Sequence, residues 1–313
     1  MKAAILAAGL GTRFRPLTFK LPKVLLPVLN RPLLGLLLAQ LKAAGFTQVA
    51  VNTHHLAAKV RHFLDAQKPW GLDLFVSHEP ELLGTGGGLR SLGEVLGEGP
   101  FLALNGDVLT DLDLADLYRL RQEGAIGTLV LHDCPPYNSV WVEEGRVVSI
   151  GEASERGTGP PLAYTGIQMV NPEMFNYLPQ GPYDLVRAWR EALAAGERLA
   201  ALVAAGHFWQ DLGTPAGYLA AHRRLLAGAS PGLAPFFPTL ADPLLGPGAV
   251  IGAGVEFAGG VCLGAQVQVG DGAYLKNTVA WDRAWIAPGV RLEDCLVASR
   301  AQVTHSAQGK VLG

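Results

Sequence analysis

The stretch LGPGAVIGAGVEFAGGVCLGAQVQVGDGAYL, residues Leu245–Leu275, repeats every six residues. Leu245, Ile251, Phe257, Leu263, Val269 and Leu275 hold one phase, which reaches Trp281. A second series, Ala249, Val255, Val261, Val267, Ala273 and Val279, sits two positions ahead. After Trp281 the register slips by one residue and resumes at Ala284/Ile286, Val290/Leu292 and Leu296/Ala298, with Trp281 and Trp285 expected to cap or pack at the slip. A six-residue period fits neither a helix nor a simple hairpin. It predicts a left-handed parallel β-helix in which each repeat gives one short strand and three repeats make a coil. Glycine fills the tight corners.

Outward from these coils, residues 229–242 are rich in proline and alanine and read as a linker. Before them, short apolar runs alternate with helix-like segments: strands over Lys2–Ala8, Gln48–Asn52, Leu72–Ser77 and Phe101–Leu104, helices over Leu33–Ala44 and Ala57–Ala66. That alternation predicts a doubly wound α/β domain over 1–228, followed by the linker and a repeat domain over 243–313. Ligands of such sheets bind beyond the carboxyl ends of the strands, so the loops after Ala8, Ser77 and Leu104 are the candidate site.

The chain has 313 residues, 49% hydrophobic and 17% charged, with a net charge of −2 and no block of like charge. Neither a nucleic-acid nor an anionic-membrane surface is indicated. The N-terminal apolar run continues into Gly9–Thr18 with no cleavage site, and no run reaches the roughly 18 apolar residues of a membrane span. A soluble, cytoplasmic protein is expected. Its three cysteines, Cys134, Cys262 and Cys295, are scattered and read as reduced thiols.

The first strand leads into LAAGLGTRFRPLT, Leu6–Thr18. Glycines directly after a strand let backbone N–H groups approach phosphate oxygens. A dinucleotide fingerprint would need glycine at Phe14, and a P-loop would need Gly-Lys-Ser/Thr. Instead Arg13, Arg15 and PKVLLP (Pro22–Pro27) follow. Downstream come EPELLGTGGG (Glu79–Gly88), NGD (Asn105–Asp107), YTGI (Tyr164–Ile167) and WQDLGTP (Trp209–Pro215). Taken in this order along nearly the whole chain, these motifs resemble the sugar-1-phosphate nucleotidylyltransferases, a family that includes mannose-1-phosphate guanylyltransferases and in which a C-terminal β-helix is common.

The resemblance implies attack by a sugar-phosphate oxygen on the α-phosphorus of an NTP, with loss of pyrophosphate. Both partners are anionic, so positioning and charge stabilisation dominate catalysis. Carried onto this sequence, Arg13 holds the leaving pyrophosphate, and Lys23 neutralises the α-phosphate or the incoming sugar phosphate. With Asp107 they make the catalytic set. Leu6, Ala8, Gly9, Gly11, Thr12, Arg13, Glu79, Gly84 and Thr85 surround the nucleotide; Asn138, Glu152, Thr165 and Gly166 take the sugar phosphate. Asp107 and Asp211 hold Mg²⁺, a hard cation that takes one or two carboxylates plus substrate phosphates. On spacing alone Asp107 is an ordinary turn aspartate and Asp211 a helix N-cap. Relatives that bind thymidine or uridine commonly carry Gln where Glu79 stands. A carboxylate there can accept from both N1–H and N2–H of guanine, so GTP and mannose-1-phosphate are expected, with UTP- or dTTP-dependent transfer as the alternative.

The sequence also departs from the family. The expected Glu-Lys-Pro is Glu152-Ala153-Ser154, which loses the lysine, and Arg156 is the nearest cation. His54-His55 reads as a loop or helix start rather than a metal pair. A non-catalytic nucleotide-sensing or scaffold subunit would be expected to lose Arg13, Lys23, Asp107 and Asp211, all of which are present. Acyl transfer in the coils would need a base, and His305 is the lone histidine after His222. Oligomer contacts or regulation are the expected role of the coils, with homo-oligomers formed through them.

Overall fold

The computed structural model describes residues 1–68, 70–151 and 159–313. They form two compact units: one of Met1–Leu10, Leu37–Val108 and Leu112–His207, the other of Gly11–Leu36, Leu109–Asp111 and Phe208–Gly313. The change of sequence period near residue 229 is therefore not where compactness divides. The loop Gly11–Leu36 belongs to the unit that carries the coils.

The first unit is built on a nine-stranded mixed sheet. Its strands are β1 (Lys2–Leu6), β2 (Gln48–Thr53), β3 (Asp73–His78), β4 (Phe101–Asn105), β5 (Gly127–His132), β6 (Val140–Glu143), β7 (Arg146–Ile150), β8 (Ala163–Val170) and β9 (Leu199–Val203). The spatial order is β3-β2-β1-β4-β8-β5-β9-β7-β6. The first four strands are mutually parallel, with Ala4 opposite both Ala50 and Ala103. This is the Rossmann-like half, and its order places the carboxyl ends of β1 to β4 on one edge of the sheet. Beyond it, β8 runs antiparallel to β4 and β5.

Helices α1 (Leu33–Ala43), α2 (Ala57–Ala66), α3 (Gly84–Leu96) and α4 (Leu185–Ala194) follow the sequence expectation closely where one was made. The core joins Ala4, Ala50, Leu89, Leu92, Phe101, Leu129 and Trp189. Helix α3 presses close to its neighbours: a Cβ on Gly93 would enter the Phe175 ring.

In the second unit three parallel sheets wind as a left-handed β-helix of two- and three-residue strands. Ile251, Phe257, Leu263, Val269, Leu275, Ala280, Ile286, Leu292, Val297 and Val303 form its interior. Two sequence assignments change. The coil repeat drops from 18 to 17 residues at Leu263↔Ala280, so Ala280 replaces Trp281 inside. At the next turn Val297 stands inside rather than Ala298. Trp281 is buried elsewhere, donating Nε1–H to the Tyr218 hydroxyl at 3.1 Å, while Trp285 faces outward. The physical reason is the corner before Val279, where Asn277 takes a left-handed φ of 46° and closes the turn with one residue fewer.

The three faces differ. Cys262, Val279 and Leu296 point outward yet are 0–2% exposed. Around them pack elements of the same unit, among them Asn30, which donates to Leu263 O and accepts from Cys262 Sγ. Helix α5 (Pro215–Leu226) lines a cavity with Leu296 and Val311. A second face carries Tyr274, Lys276, Arg291 and Glu293, with Arg291 over the Tyr274 ring and Lys276 paired with Glu293. The stretch expected as a linker is packed instead. It contains a helical turn over Pro231–Phe236 and buries Ser230, Leu233 and Phe237. Among the described residues no helix is long and apolar enough to cross a membrane.

Candidate active site

In the first unit the candidate residues gather where theory places them, at the carboxyl ends of parallel strands. Leu6 ends β1, Glu79 follows β3, and Asp107 follows β4 through a turn in which Gly106 N–H donates to Leu6 O at 2.8 Å. Gly9 stands open: a Cβ built there meets nothing within 4 Å. Such space leaves the backbone there accessible to a ligand. Gly166, with φ of +80°, lets β8 pass against Asn105 and Val108, because a Cβ would lie 2.9 Å from each of those side chains. So Gly166 is brought to the Asn105–Asp107 turn.

The neighbouring side chains are less available. Thr165 is 1% exposed, and its hydroxyl donates to Val130 O at 2.8 Å, inside the sheet. Asn138 closes its own loop, accepting from Cys134 N and donating to Asp133 Oδ1, each at 2.9 Å. Thr85 Oγ1 accepts from Leu185 N. Glu152 and Arg156 lie outside the described residues.

The glycine run serves packing more than ligand approach. At Gly84 and Gly86 a Cβ would lie 2.8 and 3.0 Å from Tyr183 O, and at Gly87 it would strike Gly181 O. At Gly88 it would come within 2.6 Å of Asn52 Nδ2 and 3.0 Å of Glu79 Oε1. The pairing of Glu79 with Asn52 has no counterpart among the sequence motifs. Asn52 and Glu79 are 2% and 1% exposed. Asn52 Nδ2 donates to Glu79 Oε1 at 2.6 Å, its Oδ1 accepts from Ala7 N at 2.6 Å, and Glu79 Oε2 accepts from Leu83 N at 3.1 Å. The available signal was a lone amide ending the apolar strand Val49–Val51. His54, expected in a loop or at a helix start, donates from Nδ1 to Glu79 O at 2.9 Å.

In the second unit Gly11 adopts φ of +62° and packs on Thr18 and Lys23, with Thr18 Oγ1 donating to Gly11 O at 2.8 Å. Thr12 and Arg13 are exposed on the following turn, and Lys23 is half-buried at the start of the turn Lys23–Leu25. Asp211 ends the short strand Trp209–Asp211 and accepts from Gly213 N. The helix N-cap is Thr214, whose Oγ1 accepts from Gly217 N at 3.1 Å, so Asp211 does not cap α5. A Cβ on Gly213 would lie 3.0 Å from Arg13 Nη1 and would strike Asp211 Oδ1. Arg13 and Asp211 thus converge on a glycine that leaves room for both. Asp107 in the first unit and Asp211 in the second are each half-buried, and a carboxylate is the kind of hard oxygen donor that a divalent cation takes. The described residues hold no cluster of three or more His, Cys, Asp or Glu side chains able to bind a metal without substrate.

A sequence model of the nucleotidyl transferase family matches residues 2–228. The chain is 31% identical to a UTP--glucose-1-phosphate uridylyltransferase of Synechocystis, with 96% of this chain and 88% of the relative covered. It is 34% identical to an N-acetylmuramate alpha-1-phosphate uridylyltransferase of Neisseria meningitidis over 68% of this chain and 94% of the relative. It is 30% identical to a mannose-1-phosphate guanylyltransferase of Mycobacterium tuberculosis over 95% of this chain and 83% of the relative. HddC from Yersinia pseudotuberculosis, solved with GMP-PN, shares the fold at a TM-score of 0.62 and 21% identity, covering 72% of this chain and 99% of that one.

Proposed function

We propose that this chain, which belongs to the nucleotidyl transferase family and is a sugar-1-phosphate nucleotidylyltransferase, joins GTP to mannose-1-phosphate and releases pyrophosphate. What supports the choice is recurrence: mannose-1-phosphate guanylyltransferases of M. tuberculosis, Oryza sativa and Arabidopsis thaliana each resemble 95% or more of this chain, coils included, while the uridylyltransferase of Synechocystis matches it to the same extent. In the reaction a phosphate oxygen of the sugar-1-phosphate attacks the α-phosphorus, and the bond to the β-phosphate oxygen breaks. Arg13, an exposed cation on the turn after Gly11, takes the leaving pyrophosphate. Lys23 lowers the repulsion between the two anions. Gly9, with open space where a side chain would stand, admits the phosphates to the backbone of the first loop. Enzymes of this family generally use a divalent metal ion, and here Asp107 and Asp211 would hold Mg²⁺. When bound, it neutralises phosphate charge. Self-association through the coils belongs to the same reading.

A second reading, uridylyl transfer, is favoured by one observation: both oxygens of Glu79 already accept hydrogen bonds within the chain, which weakens the case that its carboxylate is reserved for guanine. A pyrophosphate-release assay of five NTPs against a panel of sugar-1-phosphates separates the two. GTP with mannose-1-phosphate is expected to lead, EDTA to abolish turnover, and Asp107→Asn and Asp211→Asn each to lower kcat about 10²-fold or more, as for loss of a preorganised electrostatic group. A preference for UTP or dTTP overturns the choice of base. Turnover unaffected by EDTA overturns the role of the two aspartates.

A further inference from the structure

Two backbone donors close the ends of the chain of hydrogen bonds through Asn52 and Glu79. Ala7 N–H, in the turn after β1, can only donate, so the Asn52 atom facing it is the oxygen. The Asn52 amide then points its NH₂ at Glu79. At the far end Leu83 N–H, one residue before α3, again can only donate. Residue 79 is therefore met by donors on both sides and must accept with both oxygens. A carboxylate does so; a glutamine amide does not.

We propose that Asn52 and Glu79 are positioning residues for nucleotide binding: a polarity-matched bracket that ties the first loop at Ala7 to the Glu79–Gly88 loop, so that the backbone of those loops, and not the Glu79 side chain, sets the base pocket. The proposal rests on the nucleotidylyltransferase reading above, and it reverses the expectation that Glu79 reads guanine directly. The burial of both side chains, the absence of a side chain at Gly88 where one would crowd the pair, and the His54 bond to Glu79 O all serve the same fastening. A buried chain of this kind has value only when every member is satisfied, because one mismatched donor pair forfeits its desolvation.

The polarity can be inverted while the atoms stay in place. In Glu79→Gln every choice of amide orientation leaves one donor facing another donor. In Asn52→Asp two acceptor oxygens face each other. In the double variant Asn52→Asp/Glu79→Gln, Ala7 N–H donates to the aspartate, the glutamine NH₂ donates to its other oxygen, and the glutamine oxygen accepts from Leu83 N–H. Net charge is also restored. Each single variant is expected to raise KM for the NTP by about ten- to a hundredfold and to lower the thermal midpoint, the scale of an unsatisfied buried partner. KM for the sugar-1-phosphate should stay within about threefold, a split that general loosening would not give. The double variant should recover both the NTP KM and the midpoint to near wild type. A double variant as impaired as its worse single parent overturns the proposal. So does Glu79→Gln that keeps its NTP KM and midpoint, or that merely exchanges one preferred base for another. If the wild type turned over no NTP and sugar pair, the functional reading would fail, while recovery of the midpoint would still decide the bracket.

Discussion

A buried polar cluster in the first unit and one in the second are made on different principles. In the first unit Asn52 and Glu79 join two loops through one amide and one carboxylate, with donors at both ends. In the second, Tyr218, His222 and Trp281 join helix α5 to the segment Pro27–Leu29 and to a coil through neutral groups. Tyr218 OH donates to Pro27 O and accepts from Trp281 Nε1, while His222 Nδ1 donates to Tyr218 O and its Nε2 accepts from Leu29 N. Aromatic rings enclose this second cluster: Tyr218 lies edge-on to Phe14 at 5.9 Å and 4.4 Å from the His222 ring. Burial raises the Tyr218 hydroxyl well above its ordinary pKa and lowers that of His222 to about 4. The aromatic cluster holds by area and shape, and its polar atoms need only be satisfied. The amide–carboxylate pair holds by polarity, so its chemical identity cannot drift.

Three further measurements distinguish the two clusters. The largest effect is expected from Tyr218→Ala, which empties a fully buried ring site and should cost about 3–5 kcal/mol in chemical denaturation. Tyr218→Phe keeps the ring and should cost about 1–3 kcal/mol, because Trp281 Nε1 and Pro27 O lose their partner. If Phe were as damaging as Ala, the second cluster too would be a polarity device.

Acid comes next. His222 binds its proton only near pH 4 when folded but near pH 6.5 when unfolded. Between those values the unfolded state holds more protons, so stability falls as pH falls. The loss is complete near pH 4 and amounts to about 3 kcal/mol. Denaturation curves between pH 7 and 4 should show this slope, and His222→Gln should flatten it. An unchanged slope in that variant would assign the acid sensitivity to other groups.

The smallest effect on stability is expected at Gly9, two residues beyond the Ala7 end of the first cluster. A methyl group there meets nothing within 4 Å. Gly9→Ala should change stability by no more than about 0.5 kcal/mol, as for a surface change away from such features, yet raise KM for the NTP. A Gly9→Ala protein with unaltered nucleotide binding would show that this open backbone faces only solvent.

Both architectures are legible in the amino-acid pattern. Strand–helix alternation placed the loops after Ala8, Ser77 and Leu104, and with them Glu79 and Asp107, at the carboxyl ends of parallel strands, because strand direction follows from crossover connections. The six-residue period placed Ile251 through Leu275 inside the coils. Both patterns are local, and local patterns are legible. Tertiary structure alone decided where the coil lost a residue, since Trp281 continues the apolar phase but its bulk and indole N–H suit the Tyr218 site better than a coil interior that accepts Ala280. It alone assigned Gly11–Leu36 to the unit carrying the coils, brought Arg13 and Asp211 together at Gly213, and made Glu79 the buried partner of Asn52. In each case the deciding neighbour lies far away along the chain. No spacing records which buried donor an oxygen will meet, and that choice is fixed only when strands from distant segments are laid side by side.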